Sequence, residues 1–390
     1  MTQIGFVGLG KMGGNMAHRI RRDSDHGVVG FARSERSVQQ AVKNGVAGAR
    51  SLRDLVKMLQ PPRMVWLMLP AGAPTEETVQ RLAKLLDPGD LIVDGGNTRW
   101  SDDKRRAREL KRSGIEYVDV GVSGGVWGLE VGYCMMVGGP QKGVKRLAPI
   151  LDVLAPETNE ESRAAIGARG WMHFGPAGAG HYVKMVHNGV EYGLMQAYAE
   201  GFNVFEKCEY DLDNAKIAHL WGQGSVVRSW LCELAARAFE ADGNDLEKIE
   251  GYTEDSGEGR WTIEDATAHD VPTPVITASL YERFRSRGNG EFADRVLAAL
   301  RNQFGGHAVH PAPRAPAAKG AVAATASRRK AGVKGAAAAK ASRRKAAAKG
   351  AAAAKPSRGK AAAKGTAAAK PPRRKAAAKG RKRAKAAGGR

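Results

Sequence analysis

Residues 181–196 read His-Tyr-Val-Lys-Met-Val-His-Asn-Gly-Val-Glu-Tyr-Gly-Leu-Met-Gln and hold the side chains best suited to chemistry in this chain. Lys184, His187, Asn188, Glu191 and Tyr192 stand at offsets 0, 3, 4, 7 and 8, which an α-helix brings to one face. A base, an acid and three polar anchors would then line one wall. Val183, Met185, Val186, Val190, Leu194 and Met195 are apolar and are expected to pack the helix into a core. Gly178, Gly180, Gly189 and Gly193 are poor helix formers, so packing and a site explain this helix better than propensity does. The plain alternative is a surface helix with a solvated polar stripe.

A cofactor site is legible at the N-terminus. A short apolar strand runs into Gly8-Leu9-Gly10-Lys11-Met12-Gly13, and a helical pattern through Met16, Ala17 and Ile20 follows. In this setting the first glycine makes the tight turn, the second lets a pyrophosphate approach the backbone, and the third lets helix and strand pack. The phosphates then meet free N–H groups and the positive end of the helix dipole. At the end of the second strand, Val28–Phe31, stand Ala32, Arg33 and Ser34 where an NAD site usually carries a carboxylate. A guanidinium there suits a 2′-phosphate, so NADP is favoured, with NAD as the alternative. In that alternative Arg33 stacks on adenine or faces water, and Glu35 holds the ribose.

Further apolar runs at 64–69 and 91–94, with helical segments at 76–86 and 101–113, indicate a parallel sheet covered on both faces. Gly95, Gly96, Asn97 and Thr98 follow one strand; Gly121, Val122, Ser123, Gly124 and Gly125 follow Tyr117–Val120. Ligands of such sheets bind beyond the carboxyl ends of the strands, where Asn97 and Ser123 can hydrogen-bond one; otherwise they are ordinary turn formers. From about residue 175 only helical patterns remain, at roughly 180–207, 213–240, 260–268 and 275–300. The expected organisation is an α/β Rossmann-type doubly wound unit over 1–174, an all-α unit over 175–308, and a basic tail over 309–390, with the chemistry in a cleft between the first two.

The net charge of +22 belongs to the tail. From Pro311 to Arg390 there are 25 basic residues and no acidic one, leaving 37 basic against 40 acidic residues in 1–310. Glycines recur every fifteen residues at 320, 335, 350, 365 and 380 among Ala, Lys and Arg, a composition that cannot bury a core and is expected to be disordered. It is similar to the tails of linker histones and bacterial histone-like proteins. Such a segment binds DNA or another polyanion by counterion release; the alternative is a solubilising extension. Cys134, Cys208 and Cys232 have neither metal-like nor disulfide-like spacing, so no metal is expected and a reducing compartment fits. With no signal segment and no membrane-length apolar run, a cytoplasmic protein is expected, nucleoid-associated if the tail binds DNA.

Gly8–Gly13, Asp94-Gly95-Gly96-Asn97-Thr98, Gly121–Gly125 and Lys184-x-x-His187-Asn188-Gly189-x-Glu191-Tyr192 together resemble the short form of decarboxylating 6-phosphogluconate dehydrogenase, over about residues 1–308. The resemblance implies oxidation of 6-phosphogluconate to ribulose 5-phosphate and CO2, a pentose phosphate step. Lys184 is then the general base on the C3 hydroxyl and Glu191 the acid that protonates the enediol. Asn97, Ser123, Gly124, Gly125, His187 and Asn188 hold the substrate. Tyr192, Arg260 and Arg283 match phosphate-contact positions, although the long form generally has lysine where Arg260 stands. Arg301 and His307 match a segment that reaches into another subunit's site, implying a homodimer or homotetramer; read alone, it is a frayed helix end before Gly305-Gly306. A different class of function, a nucleic-acid-associated protein keeping a dehydrogenase scaffold, has no use for both proton-transfer groups. A related 3-hydroxyacid substrate is the nearer alternative.

Overall fold

The computed structural model describes residues 1–157, 170–305, 308 and 310. Strands and helices alternate through the first half: β1 (Gln3–Val7), α1 (Lys11–Asp23), β2 (Gly27–Phe31), α2 (Glu35–Lys43), β3 (Ala47–Gly48), α3 (Leu52–Met58), β4 (Met64–Leu67), α4 (Ala73–Leu82), β5 (Leu91–Asp94), α5 (Trp100–Lys111) and β6 (Glu116–Ser123). β4 and β5 are buried along their whole length, as continuous apolar runs in a doubly covered sheet should be. These six strands are parallel in the order β3-β2-β1-β4-β5-β6, that of a dinucleotide-binding sheet. One face packs Ile4, Phe6, Trp66 and Val93 against α1, and the other packs Val7, Val65, Leu67 and Ile92 against Leu52 and Leu55 of α3.

Two strands that the sequence pattern did not disclose extend this sheet. After a short turn and α6 (Gly128–Val131), β7 (Cys134–Gly138) returns antiparallel to β6; α7 (Gln141–Leu154) and β8 (Trp171–Gly175), parallel to β7, complete it. Helices follow: α8 (Ala179–Glu206), α9 (Asn214–Gly222), α10 (Trp230–Asp242), α11 (Glu258–Ala268), α12 (Pro274–Arg285) and α13 (Glu291–Gly305). Two expected long helices are therefore broken. The 213–240 segment breaks where Gly224 takes φ +77° and Ser229 accepts from Cys232 N to cap α10. The 275–300 segment breaks at Gly288, φ +76°. Among the described residues no helix is long and apolar enough to cross a membrane.

α8 rests directly on the sheet. A Cβ on Gly180 would lie 2.4 Å from Met136 O, and one on Gly121 would lie 2.3 Å from Lys184 Cβ, so only glycine lets the backbones meet. Its N-cap, Gly178, offers no side chain; the buried Asp119 of β6 accepts instead from Gly178 N at 2.7 Å and His181 N at 2.9 Å. The faces of α8 are reversed from expectation. Of the apolar positions only Met185 is buried, Val183 is half-buried, and Val186, Val190, Leu194 and Met195 are exposed, whereas Lys184, Asn188 and Tyr192 are buried. The reason is that sheet and α11 enclose the polar side and satisfy it. Over residues 291–303 of α13, none of the described residues is buried, and Phe292, Val296, Leu297 and Leu300 project outward.

Beneath α8 runs a buried polar chain. His181 Nδ1 donates to Asp103 Oδ2 at 2.8 Å, and Tyr117 Oη lies 2.7 Å from Asp103 Oδ1 and 3.1 Å from Asp94 Oδ2. Arg106 Nη1 donates to Asp94 at 3.2 Å, and its Nε to Glu76 at 3.0 Å. Burial opposes charge on His181, yet Asp103 beside it, with Asp94 and Asp119, pushes its pKa up to about 10. Burial, opposed by His181, leaves Asp103 pushed up to about 6. The folded chain thus keeps a proton on His181 that the unfolded chain releases near 6.5. This contribution is complete below that value and is lost as pH rises through about 10. The unfolding temperature is therefore expected to fall more steeply between pH 7 and 10 in the wild type than in the Asp103→Asn/His181→Gln double variant, measured by calorimetry at matched ionic strength.

Candidate functional site

A cleft of about 1230 Å³ lies between the carboxyl ends of the strands and α8. Its floor is the turn from β1 into α1. Gly8, φ +97°, and Gly13 are forced by packing, since a Cβ would meet Met68 O at 2.3 Å or Gly8 O at 2.0 Å. A Cβ on Gly10 would meet nothing within 4 Å, so the second glycine faces open space. Leu9 is buried in the core behind it, while Gly10, Lys11, Met12 and Gly13 line the cleft. The first turn of α1 carries no acidic side chain, leaving its N–H groups to an anion. The residues present therefore fit a dinucleotide pyrophosphate. Arg33 and Ser34, just past β2, are exposed; the Ser34 hydroxyl accepts from Ser37 N at 3.3 Å and caps α2, while Glu35 accepts from Gln39. Arg33 thus remains directed at solvent, beside the cofactor strand ends.

Two strand-end loops form the next wall. Asp94, fully buried, accepts from Gly96 N at 3.0 Å and from Thr98 Oγ1 at 2.8 Å, and so shapes the turn that carries the exposed Asn97 into the cleft. Ser123, Gly124 and Gly125 line the cleft after β6.

α8 supplies the opposite wall. Lys184 Nζ donates to Asn188 Oδ1 at 2.5 Å, His187 Nδ1 lies 2.9 Å from the same oxygen, and His187 Nε2 lies 3.4 Å from Ser123 Oγ. Glu191 Oε2 is 3.8 Å from His187 Nδ1, with both side chains half-exposed. Burial lowers the pKa of Lys184, although Glu191, Glu258 and Cys134 oppose the shift. A buried ammonium with a lowered pKa is what a lysine base requires. Lys184, His187, Asn188 and Glu191 all line the cleft, as do the exposed Val186, Val190 and Leu194 beside them.

The basic residues form a neighbouring cluster. Arg283 stacks on Tyr192 at 3.4 Å from the ring centre and donates to Glu254 O. Tyr192 Oη accepts from Ser256 N at 3.2 Å, and Ser256 lines the cleft. Arg260 is turned toward Asp255, to which it donates at 3.1 Å, and stacks on Phe284. Arg260, Arg283 and Tyr192 are not among the cleft-lining side chains. Arg301 lies exposed on α13, and His307 lies outside the described residues.

Sequence reasoning passed over Glu258, Asp255 and Arg287. Glu258 is buried and accepts from Asn188 Nδ2 at 3.2 Å. Asp255 pairs with both Arg260 and Arg287, the latter at 3.2 Å. The glycines flanking Glu258 were the available signal: a Cβ on Gly259 would lie 2.6 Å from the Tyr192 ring, so this segment must approach α8 closely.

Comparison with known proteins places the same architecture elsewhere. Residues 3–164 match the family described as the NAD binding domain of 6-phosphogluconate dehydrogenase, and residues 180–317 match the 6-phosphogluconate dehydrogenase C-terminal domain. The NAD(+)-dependent, decarboxylating 6-phosphogluconate dehydrogenase of Haloferax volcanii is 42% identical over 307 residues, covering 79% of this chain and 98% of that protein. The decarboxylating enzyme of Lactococcus lactis is 34% identical over 319 residues, covering 78% of this chain and 66% of its own. Among solved structures, Plasmodium falciparum 6-phosphogluconate dehydrogenase, determined without ligands, with NADP+ and with 6-phosphogluconate, superposes with a TM-score of 0.66 at 28% identity, covering 80% of this chain and 67% of that one.

Proposed function

Because the chain belongs to the 6-phosphogluconate dehydrogenase family, we propose that it oxidatively decarboxylates 6-phosphogluconate to ribulose 5-phosphate and CO2. The observation that carries this reading is Lys184, buried with a lowered pKa, in the same cleft as the free N-terminus of α1. In this reading residues 1–174 hold the cofactor and 175–308 supply the chemistry.

A nicotinamide cofactor held at Gly8–Gly13 would supply the hydride acceptor for C3 of the substrate. Lys184 takes the C3 hydroxyl proton as the hydride leaves, which produces a 3-keto acid. The bond between C1 and C2 then breaks: C1 departs as CO2, and its electron pair passes into the enediol. Lys184, now protonated, donates to the developing oxyanion. Glu191 protonates the former C2, which becomes C1 of the product. Asn97, Ser123, His187 and Asn188, with the backbone of Gly124 and Gly125, orient the carboxylate and hydroxyls. Tyr192, Arg260 and Arg283 receive the phosphate, which must draw Arg260 away from Asp255. NADP is the favoured acceptor, because Arg33 stands exposed where a carboxylate would repel a 2′-phosphate, and NAD is the alternative.

The exposed apolar side chains of α13 support a homo-oligomer, a dimer or tetramer, in which this helix is covered by a second copy and brings Arg301 and His307 to the other site. The extension from Pro311 lies outside the described residues, and its 25 uncompensated positive charges make it a polyanion-binding segment in this reading.

Four measurements test these statements. Steady-state reduction of NADP and NAD with 6-phosphogluconate should release one CO2 per turnover, and Lys184→Met should lower kcat by on the order of 10²–10⁴-fold. Arg33→Ala should reduce the NADP:NAD ratio of kcat/KM, and an unchanged ratio removes Arg33 from cofactor choice. In sedimentation, Leu297→Asp/Leu300→Asp should convert an oligomer to a monomer with impaired turnover; a fully active monomeric wild type rules out the trans site. In a gel-shift titration with duplex DNA, the intact chain should bind at low salt and release at high salt, whereas residues 1–310 should not bind.

A further inference from the structure

Glu258 opens α11 at its first position and is 2% exposed. No salt bridge to it is found among the described residues. Its Oε1 accepts from Asn188 Nδ2, and its Oε2 is buried with no hydrogen-bond partner. A carboxylate in that condition is costly unless fixed charge or dipole opposes it. Two things do: the N-terminus of its own helix, and the Lys184 ammonium beyond Asn188.

The hydrogen-bond inventory of Asn188 gives this arrangement its meaning. An amide has one oxygen that only accepts and one NH2 that only donates. A carboxylate can only accept, so Glu258 claims the NH2 and the oxygen must face the other way. There it accepts from Lys184 Nζ and lies 2.9 Å from His187 Nδ1. The oxygen carries no proton, so Nδ1 of His187 must carry one, and Nε2 of the uncharged ring is left as an acceptor toward the Ser123 hydroxyl. A reversed amide would set its NH2 against the ammonium and its oxygen against the carboxylate.

We propose that Glu258 is a positioning residue that, through Asn188, fixes the direction of the Lys184 hydrogen bond and the tautomer of His187. The inference rests on the reading of Lys184 as the base. The charged and titratable groups that bear on Lys184 are Glu191 from α8, Cys134 from β7 and Glu258 from α11, with His187 of α8 sharing the Asn188 oxygen that accepts from it. Burial lowers the Lys184 pKa most, and Glu191 and Glu258 raise it. Removing the charge of Glu258 therefore lowers that pKa further. Lys184 must be neutral to act, so its ionisation forms the acid limb of kcat/KM, and that limb should move to lower pH.

The test compares the wild type with Glu258→Gln and Glu258→Asp, each confirmed folded by thermal unfolding. The readouts are kcat/KM against pH with 6-phosphogluconate, the pH midpoint for acetylation of Lys184 read by mass spectrometry without substrate, and the histidine tautomer by nitrogen NMR. Glu258→Gln should lower kcat/KM roughly 10- to 100-fold at neutral pH. It should also shift both the acid limb and the labelling midpoint downward and, since a glutamine amide can either accept from or donate to Asn188, admit the other His187 tautomer beside the Nδ1-protonated one. Glu258→Asp keeps the charge but not the reach, so its midpoint should stay near that of the wild type while kcat falls. The proposal is overturned if Glu258→Gln leaves the midpoint and the tautomer unchanged. A wild type without turnover whose Lys184 midpoint still responds to Glu258→Gln would refute the dehydrogenase reading and leave the positioning role standing.

Discussion

Backbone lies against backbone where α8 crosses β6 and β7, and the rest of the molecule is arranged around that contact. Gly121, Gly138 and Gly180 remove the side chains that would separate them, and Asp119 fills the missing helix cap from the strand below. A layer of ordinary side chains between helix and sheet would hold the two backbones apart. Here Lys184 instead packs its stem on Gly121, which delivers its ammonium to the carboxyl ends of the strands, where a parallel sheet presents its ligands. The same contact continues outward: Gly189 meets Thr262 and Gly259 meets the Tyr192 ring, so α11 approaches α8 as closely as the sheet does from the other side. The polar side chains of α8 are buried by this double approach rather than by any apolar character of their own.

Under the helix, the chain from His181 through Asp103 and Tyr117 to Asp94 joins the base of α8 to the turn that holds Asn97. Both walls of the cleft therefore share one buried ionic frame. Such a frame contributes little net stability compared with apolar packing, and removing any one member leaves a buried charge exposed to an apolar surround. Its value is geometric, since Asp94 can shape its loop only while Arg106 and Tyr117 hold the carboxylate in place.

Much of this was readable from residue order alone because the signals are local. The Gly8–Gly13 turn, the strand runs at 64–67 and 91–94, and the five polar positions of α8 all follow from short-range period and steric need. What escaped depends on partners distant in sequence. The apolar residues of α8 suggested a core-facing stripe, but Val186, Val190 and Leu194 form a wall of the cleft, and the polar stripe is buried because Glu258, seventy positions away from Asn188, meets it. β7 and β8 escaped because Cys134–Gly138 and Trp171–Gly175 are short and lack a clear period. The breaks at Gly224 and Gly288 were present as glycines, yet their neighbours continue a helical pattern well enough to hide them. Arg260 is singled out by its match to a phosphate-contact position, but its pairing with Asp255, five residues before it, is visible only in the fold.

Lys184, Asn188 and Tyr192 fall at successive four-residue steps on one uninterrupted helix, with Glu191 a further position on the same side. A helix turns about 100° per residue, so a single inserted or deleted residue between Lys184 and Glu191 would swing one end of the set a quarter of the way round the rod. No loop lies between them to absorb the error. Side chains can be exchanged here one at a time, but the length of this segment cannot drift. Variation in chain length must be accommodated elsewhere, in the turns at 223–229 and 286–290 and beyond α13, where a change in residue number alters no helical phase.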